Sequence, residues 1–154
     1  MLYYLVKIMS ITAIKTFFNK ISAENVENIS DDTPIIFTAN HPNTMMDPII
    51  IGYGCKRKLH FFAKSTLFEN PLGGWILKKI QIVPIYRRQD NPSDMINNED
   101  TFSSGYDILK HNKAFLIFPE GISTGDRKLS QIKTGAARIG FGAEAHNNWG
   151  LGVQ

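Results

Sequence analysis

Four short runs that are apolar at nearly every consecutive position limit the folds open to this chain more than any other feature. They are Ile35-Ile36-Phe37-Thr38, Leu59-His60-Phe61-Phe62-Ala63, residues 82–86 and Ala114-Phe115-Leu116-Ile117-Phe118. A strand with one face in water alternates polar and apolar residues, whereas a strand covered on both faces does not. Stretches of helical length follow each run: one opening at Asp47-Pro48, then residues 71–80, 93–111 and 133–146. Asp47 reads as the N-cap and Pro48 as the first helical residue of the first of these. In the second, Trp75, Ile76 and Ile80 are expected to face the core, and Ser93 or Asp94 is expected to cap the third. Buried strands alternating with helices predict an α/β fold, a mostly parallel central sheet flanked by helices.

The 154 residues suffice for one domain with its own core, and 43% hydrophobic with 20% charged residues excludes a disordered chain. Basic residues cluster at Lys56-Arg57-Lys58, Lys78-Lys79, Arg87-Arg88 and Arg127-Lys128, within a formal net charge of +3. Such clusters favour anionic partners, phosphate groups or an acidic lipid surface. No helix-turn-helix, zinc-finger or RNA-binding motif accompanies them, so nucleic acid is not an expected partner. Cys55 is the single cysteine, which leaves no internal disulfide and no thiolate metal cluster, and it reads as a packing residue in a reduced compartment.

Residues 1–22 form a segment of their own. Lys7 and Lys15 interrupt an otherwise apolar stretch, so no uncharged run approaches the roughly 20 residues that span a bilayer. On a helix, Lys7, Ser10, Lys15 and Asn19 fall broadly on one side, with Leu2, Leu5, Met9 and Phe17 among the residues filling the rest. That pattern predicts a helix lying in a membrane interface, its lysines reaching headgroups. The alternative is a helix packed on the domain's own core. Residues 23–154 make the main domain. Its last residues, 148–154, read as the entry to a fifth strand, so the domain is expected to be incomplete at its C-terminus.

Ligands of α/β sheets sit beyond the carboxyl ends of the strands. Three chemistry-bearing groups fall there: His41 and Asp47 after the first run, Arg87 and Arg88 after the third, and Phe118-Pro119-Glu120-Gly121-Ile122-Ser123-Thr124-Gly125 after the fourth. A carboxylate on one imidazole nitrogen fixes the tautomer and frees the other nitrogen to take a proton. Guanidinium groups bind phosphate bidentately, and glycines let backbone N–H groups approach an oxyanion. A base, a phosphate holder and a glycine turn on one edge suit deprotonation of a phosphorylated alcohol.

These residues, in this order, resemble the phospholipid/glycerol acyltransferase family. The matching segments are Glu27-Asn28-Ile29, then Ala39-Asn40-His41-Pro42-Asn43 through Asp47, then Ala63-Lys64-Ser65-Thr66-Leu67-Phe68. Val83-Pro84-Ile85-Tyr86-Arg87, Phe118-Pro119-Glu120-Gly121 and Lys133-Thr134-Gly135-Ala136-Ala137-Arg138 follow. The resemblance implies acyl transfer from acyl-CoA or acyl-carrier protein to a hydroxyl of glycerol-3-phosphate or 1-acylglycerol-3-phosphate, with no cofactor, no metal and no acyl-enzyme. It makes His41 the general base and Asp47 its orienting partner. Arg87, Glu120 and Gly121 become positions that shape the acceptor site, with Arg87 on the phosphate, and Asn43, Lys64 and Ser123 become further substrate-binding residues. It also implies a membrane lipid surface as a partner, the enzyme lying peripherally on the cytoplasmic face of the inner or plasma membrane.

The chain departs from the family pattern in three places. Five residues rather than four separate His41 from Asp47. The third motif continues Ile122-Ser123-Thr124 where Thr-Arg-Ser is usual, leaving Arg127 or Lys128 to replace the missing arginine. The fourth motif would follow Gln154. Two other readings stand beside acyl transfer. One is an inactive fragment or non-catalytic peripheral membrane protein. The other is a serine hydrolase, because Gly121-Ile122-Ser123-Thr124-Gly125 matches the nucleophile elbow, with Ser123 as nucleophile.

Overall fold

A computed structural model describes residues 2–86, 98–123, 125 and 128–154. Arg87, Arg88 and the expected cap at Ser93 or Asp94 lie outside them. Four strands, β1 (Ile35–Thr38), β2 (Leu59–Lys64), β3 (Ile82–Ile85) and β4 (Ala114–Ile117), pair in the order β1-β4-β2-β3. Every pair is parallel, with Ile35 opposite Ala114, Leu59 opposite Ala114, and Phe61 opposite Ile82. Central β4 is the strand buried at all four positions, which is why its sequence is apolar without alternation.

Helices cover both faces: α2 (Met46–Gly54) and α3 (Pro71–Lys79) in the first half, α4 (Asn98–Lys110) and α5 (Gly135–His146) in the second. The pleat sends alternate side chains into two cores. Ile35, Leu59 and Ala114 meet Cys55, with Phe37, Phe61 and Ile51 of α2 packed around them. Phe115 and Ile117 meet Ile108, Leu109, Ile139 and Ala143 of α4 and α5, with Ile36, Phe62 and Val83 beside them. Phe62 stands edge-on to Phe115, ring centroids 5.1 Å apart. Burial of a side chain such as Phe115 stabilises by about 1.5–3 kcal/mol. Gly105 lets α4 and α5 approach, since a Cβ there would stand 2.6 Å from Ile139.

Beyond α5, Glu144 accepts the Leu151 and Val153 N–H groups at 3.1 and 2.7 Å. This brings Gln154 beside β1, where its N–H donates to Pro34 and its carbonyl accepts from Ile36. That pair of bonds is the pattern of parallel pairing, in line with the strand entry expected at residues 148–154.

The N-terminal helix α1 (Leu2–Phe17) packs on α2. Tyr3 and Ile14 are its buried residues; the Tyr3 hydroxyl accepts the Leu59 N–H at 3.2 Å, and Lys7 donates to the Cys55 carbonyl at 3.0 Å. Lys7 therefore turns toward the domain rather than outward as expected. The outward face carries Tyr4, Leu5, Ile8, Met9 and Phe17. Among the described residues no helix is long and apolar enough to cross a membrane.

Three further expectations need correction. Asp47 does not cap α2: it is the helix's second residue, and the Asn43 side chain accepts the Met45 and Met46 N–H groups instead. Trp75 and Ile76 face solvent, because α3 packs through Gly74 against Phe68. Arg57 is not a free surface cation: its guanidinium donates to the carbonyls of Ser30, Thr33 and Asn112, clamping the segment before β1 to the entrance of β4.

Candidate active site

The parallel sheet brings the loop after β1 beside the loop after β4, since those strands are neighbours. His41 lies in the first loop and Glu120 in the second. The Glu120 carboxylate ties them together: Oε1 accepts the His41 N–H and Oε2 the Ser130 N–H, each at 2.9 Å. Glu120 is 5% exposed, and the Ser130 and His41 N–H groups together hold its carboxyl below the ordinary carboxylate pKa. With both oxygens on backbone donors, Glu120 braces the loops and offers little of its carboxylate to a substrate.

His41 Nδ1 lies 3.0 Å from Asp47 Oδ2, and the two side chains are 13% and 17% exposed. The same oxygen accepts the Asn43 N–H at 2.7 Å, while the Asp47 N–H donates to the Asn43 carbonyl at 3.1 Å. Asp47 is thus held by the turn it closes, at the first turn of α2, where the helix dipole favours a carboxylate. A hydrogen bond from Nδ1–H to this carboxylate leaves the lone pair on Nε2. The imidazole stacks flat on Phe118, with centroids 3.8 Å apart and planes 11° from parallel. The ring is therefore fixed in direction by Asp47 and in plane by Phe118.

Gly121 closes a turn with its N–H on the Phe118 carbonyl at 3.0 Å and has φ +71°. That backbone conformation suits glycine. The Lys133 N–H donates to the Pro119 carbonyl at 2.9 Å, and its side chain lies over Gly121.

Of the expected site residues, His41, Asp47, Asn43, Glu120 and Gly121 converge. The Asn43 side-chain carbonyl is engaged by the helix start. Ser123 follows two residues after Gly121 and is partly buried; Lys64 stands exposed at the carboxyl end of β2. Arg87 is outside the described residues. Phe118, Ser130 and Lys133 were not singled out from the sequence as site residues. Phe118 and Lys133 did fall within motif segments, whereas the Ser130 contribution is a backbone N–H that no residue type announces. A nucleophile elbow needs a strained turn leading straight into a helix. Ser123 does not have positive φ, and among the described residues the next helix is α5, from Gly135. This geometry argues against the hydrolase reading.

The family model described as Acyltransferase matches residues 20–146. The chain is 28% identical over 138 residues to the chloroplastic 1-acyl-sn-glycerol-3-phosphate acyltransferase LPAT1 of Arabidopsis thaliana, covering 89% of this chain and 36% of that protein. It is 30% identical over 116 residues to the 1-acyl-sn-glycerol-3-phosphate acyltransferase of Bacillus subtilis, covering 75% of this chain and 53% of the relative. Its fold matches the crystal structure of the 1-acyl-sn-glycerophosphate (LPA) acyltransferase PlsC of Thermotoga maritima with a TM-score of 0.69 at 24% identity, over 98% of this chain and 55% of that one. The chain thus spans about a third to a half of the length of these relatives. With most of its residues matched by the family model, this chain belongs to the Acyltransferase family.

Proposed function

We propose that this chain transfers a fatty acyl group from the thioester of acyl-CoA or acyl-carrier protein to the free hydroxyl of 1-acylglycerol-3-phosphate. The observation that carries the reading is the His41 imidazole, tied to Asp47 at 3.0 Å and stacked on Phe118 at the carboxyl end of the sheet. Nε2 takes the hydroxyl proton as the acceptor oxygen attacks the thioester carbonyl, and Asp47 stabilises the imidazolium that forms. The tetrahedral intermediate collapses by breaking the C–S bond, and the imidazolium returns the proton to the departing thiolate. No acyl-enzyme, cofactor or metal is needed. The relatives' names support the monoacyl acceptor over glycerol-3-phosphate itself. Lys64 and Arg87 are substrate-binding cations in this reading, and Ser123 is a substrate-binding hydroxyl.

The same reading puts the chain at a lipid surface. The outward face of α1, with Tyr4, Leu5, Ile8 and Met9 all more than half exposed, supports peripheral binding in the interface. The cytoplasmic face is where the thioester donors would be met.

The test is an acyl-transfer assay on vesicles with labelled acyl-CoA and acyl-carrier protein and a panel of acceptors. Transfer to 1-acylglycerol-3-phosphate is expected, and His41→Ala should lower it by about 10²–10⁴-fold with the fold intact. His41→Ala activity within threefold of wild type would remove the base. Folded wild type inactive on every acceptor would favour a non-catalytic membrane protein.

A further inference from the structure

Lys133 lies just before α5 and is fixed at two points to the turn that follows β4. Its N–H donates to the Pro119 carbonyl at 2.9 Å. Its side chain then runs back across Gly121: a Cβ built on that glycine would stand 3.3 Å from Lys133 Cδ, 3.4 Å from Cε and 2.8 Å from Nζ. Any larger residue at 121 would displace the ammonium. The absence of a side chain there opens the space that the cation fills.

The ammonium is not consumed by its surroundings. Glu120, next in the chain to Gly121, has both carboxylate oxygens on backbone N–H groups. Among the described residues no carboxylate lies within ion-pair distance of Lys133, and the side chain is exposed. One of the bonds that occupies Glu120 comes from the His41 N–H, so base and cation are built onto the same short segment, residues 118–121. The third motif carries Ser123 where an arginine is usual. Arg127 lies outside the described residues, and Lys128 is exposed. Lys133 is the described cation that touches the turn.

We propose that the Lys133 ammonium receives the phosphate of the acceptor, and so sets the preference for phosphorylated over unphosphorylated glycerol beside His41. This deepens the acyl-transfer reading and rests on it. A lysine in this role acts as a compact point charge with three donors. It meets the phosphate while the acceptor hydroxyl faces Nε2.

Two measurements test it. In the vesicle assay, the ratio of kcat/KM for 1-acylglycerol-3-phosphate to that for 1-acylglycerol should fall about 10- to 100-fold in Lys133→Met, the span of one charge-assisted hydrogen bond, through KM for the phosphorylated acceptor. Lys133→Arg should restore most of the ratio. An unchanged ratio, or an equal loss of kcat on both acceptors, overturns the assignment. So does a loss of thermal stability with the ratio intact, which would make Lys133 a charge partner of Glu120. The second measurement does not need turnover. After reductive ¹³C-methylation, the Lys133 signal, assigned by its loss in Lys133→Met, should shift on titration with glycerol-3-phosphate and not with glycerol. No shift overturns the phosphate site even where transfer is intact. A shift in a protein that acylates nothing keeps the site and rejects the acyl-transfer reading instead.

Discussion

Replacing Asp47 by Asn separates the geometry of the site from its charge. The amide has nearly the shape of the carboxylate, and its oxygen still accepts the Asn43 N–H that now meets Oδ2 at 2.7 Å. The turn and the start of α2 should therefore survive. What is lost is a charge-assisted bond to His41 Nδ1 at 3.0 Å, between side chains only 13% and 17% exposed. Hydrogen bonds to charged groups contribute about 1.5–3 kcal/mol. The charge matters most once His41 has taken the acceptor proton, so the loss falls on the transition state rather than on substrate binding. At about 1.36 kcal/mol per tenfold, kcat should fall about 10- to 150-fold with KM for both substrates little changed. The assay is steady-state release of free CoA from acyl-CoA with a saturating acceptor, alongside a thermal melt. A kcat within threefold of wild type, or a loss appearing in KM alone, would refute the claim that Asp47 acts through the His41 ring.

Other consequences follow from burial and exposure. Leu59 is fully buried under α1 and α2, so Leu59→Ala should destabilise by about 2–5 kcal/mol in urea unfolding. Burial pushes the His60 pKa below its ordinary 6.5, and the Ser130 and His41 N–H groups hold Glu120 below 4.5. Both folded-state values lie below the unfolded ones, so both contributions are complete above those pH values and are lost on acidification. Unfolding midpoints should fall as pH drops below about 6.5 and again below about 4.5, and His60→Gln should remove the first step only. Ile8→Asp combined with Met9→Asp, at positions 62% and 64% exposed, should abolish sedimentation with anionic vesicles while leaving the melting temperature unchanged.

The strands were legible because parallel β-strands buried on both faces must be apolar without interruption, and four runs of that kind are hard to read otherwise. The order of layers followed from the alternation with helices. Facing within helices was less accessible. Hydropathy assigns Trp75 and Ile76 inward, but α3 packs through a glycine, Gly74, which lets it lie close on Phe68 and turns the bulky residues out. In α1 one lysine turns inward: Lys7 reaches a backbone carbonyl that the end of α2 leaves open. Composition cannot anticipate such a partner. At the site, His41 and Asp47 were readable from residue type and chain position. The capping of α2 was not, since Asn43 and Asp47 are both competent caps and only the turn decides between them. The stack of Phe118 on His41 joins the segments that follow two different strands, so no local pattern carries it.

The Glu120 carboxylate bonds across 79 residues of chain to the backbone of the base. Neither loop alone can form the arrangement around His41, because the brace exists only when β4 has inserted between β1 and β2. Under the proposed function, acyl transfer therefore requires that insertion to be complete. Slowed hydrogen exchange at β4 amides and recovery of acyl transfer should emerge together during refolding, after local helix formation is complete.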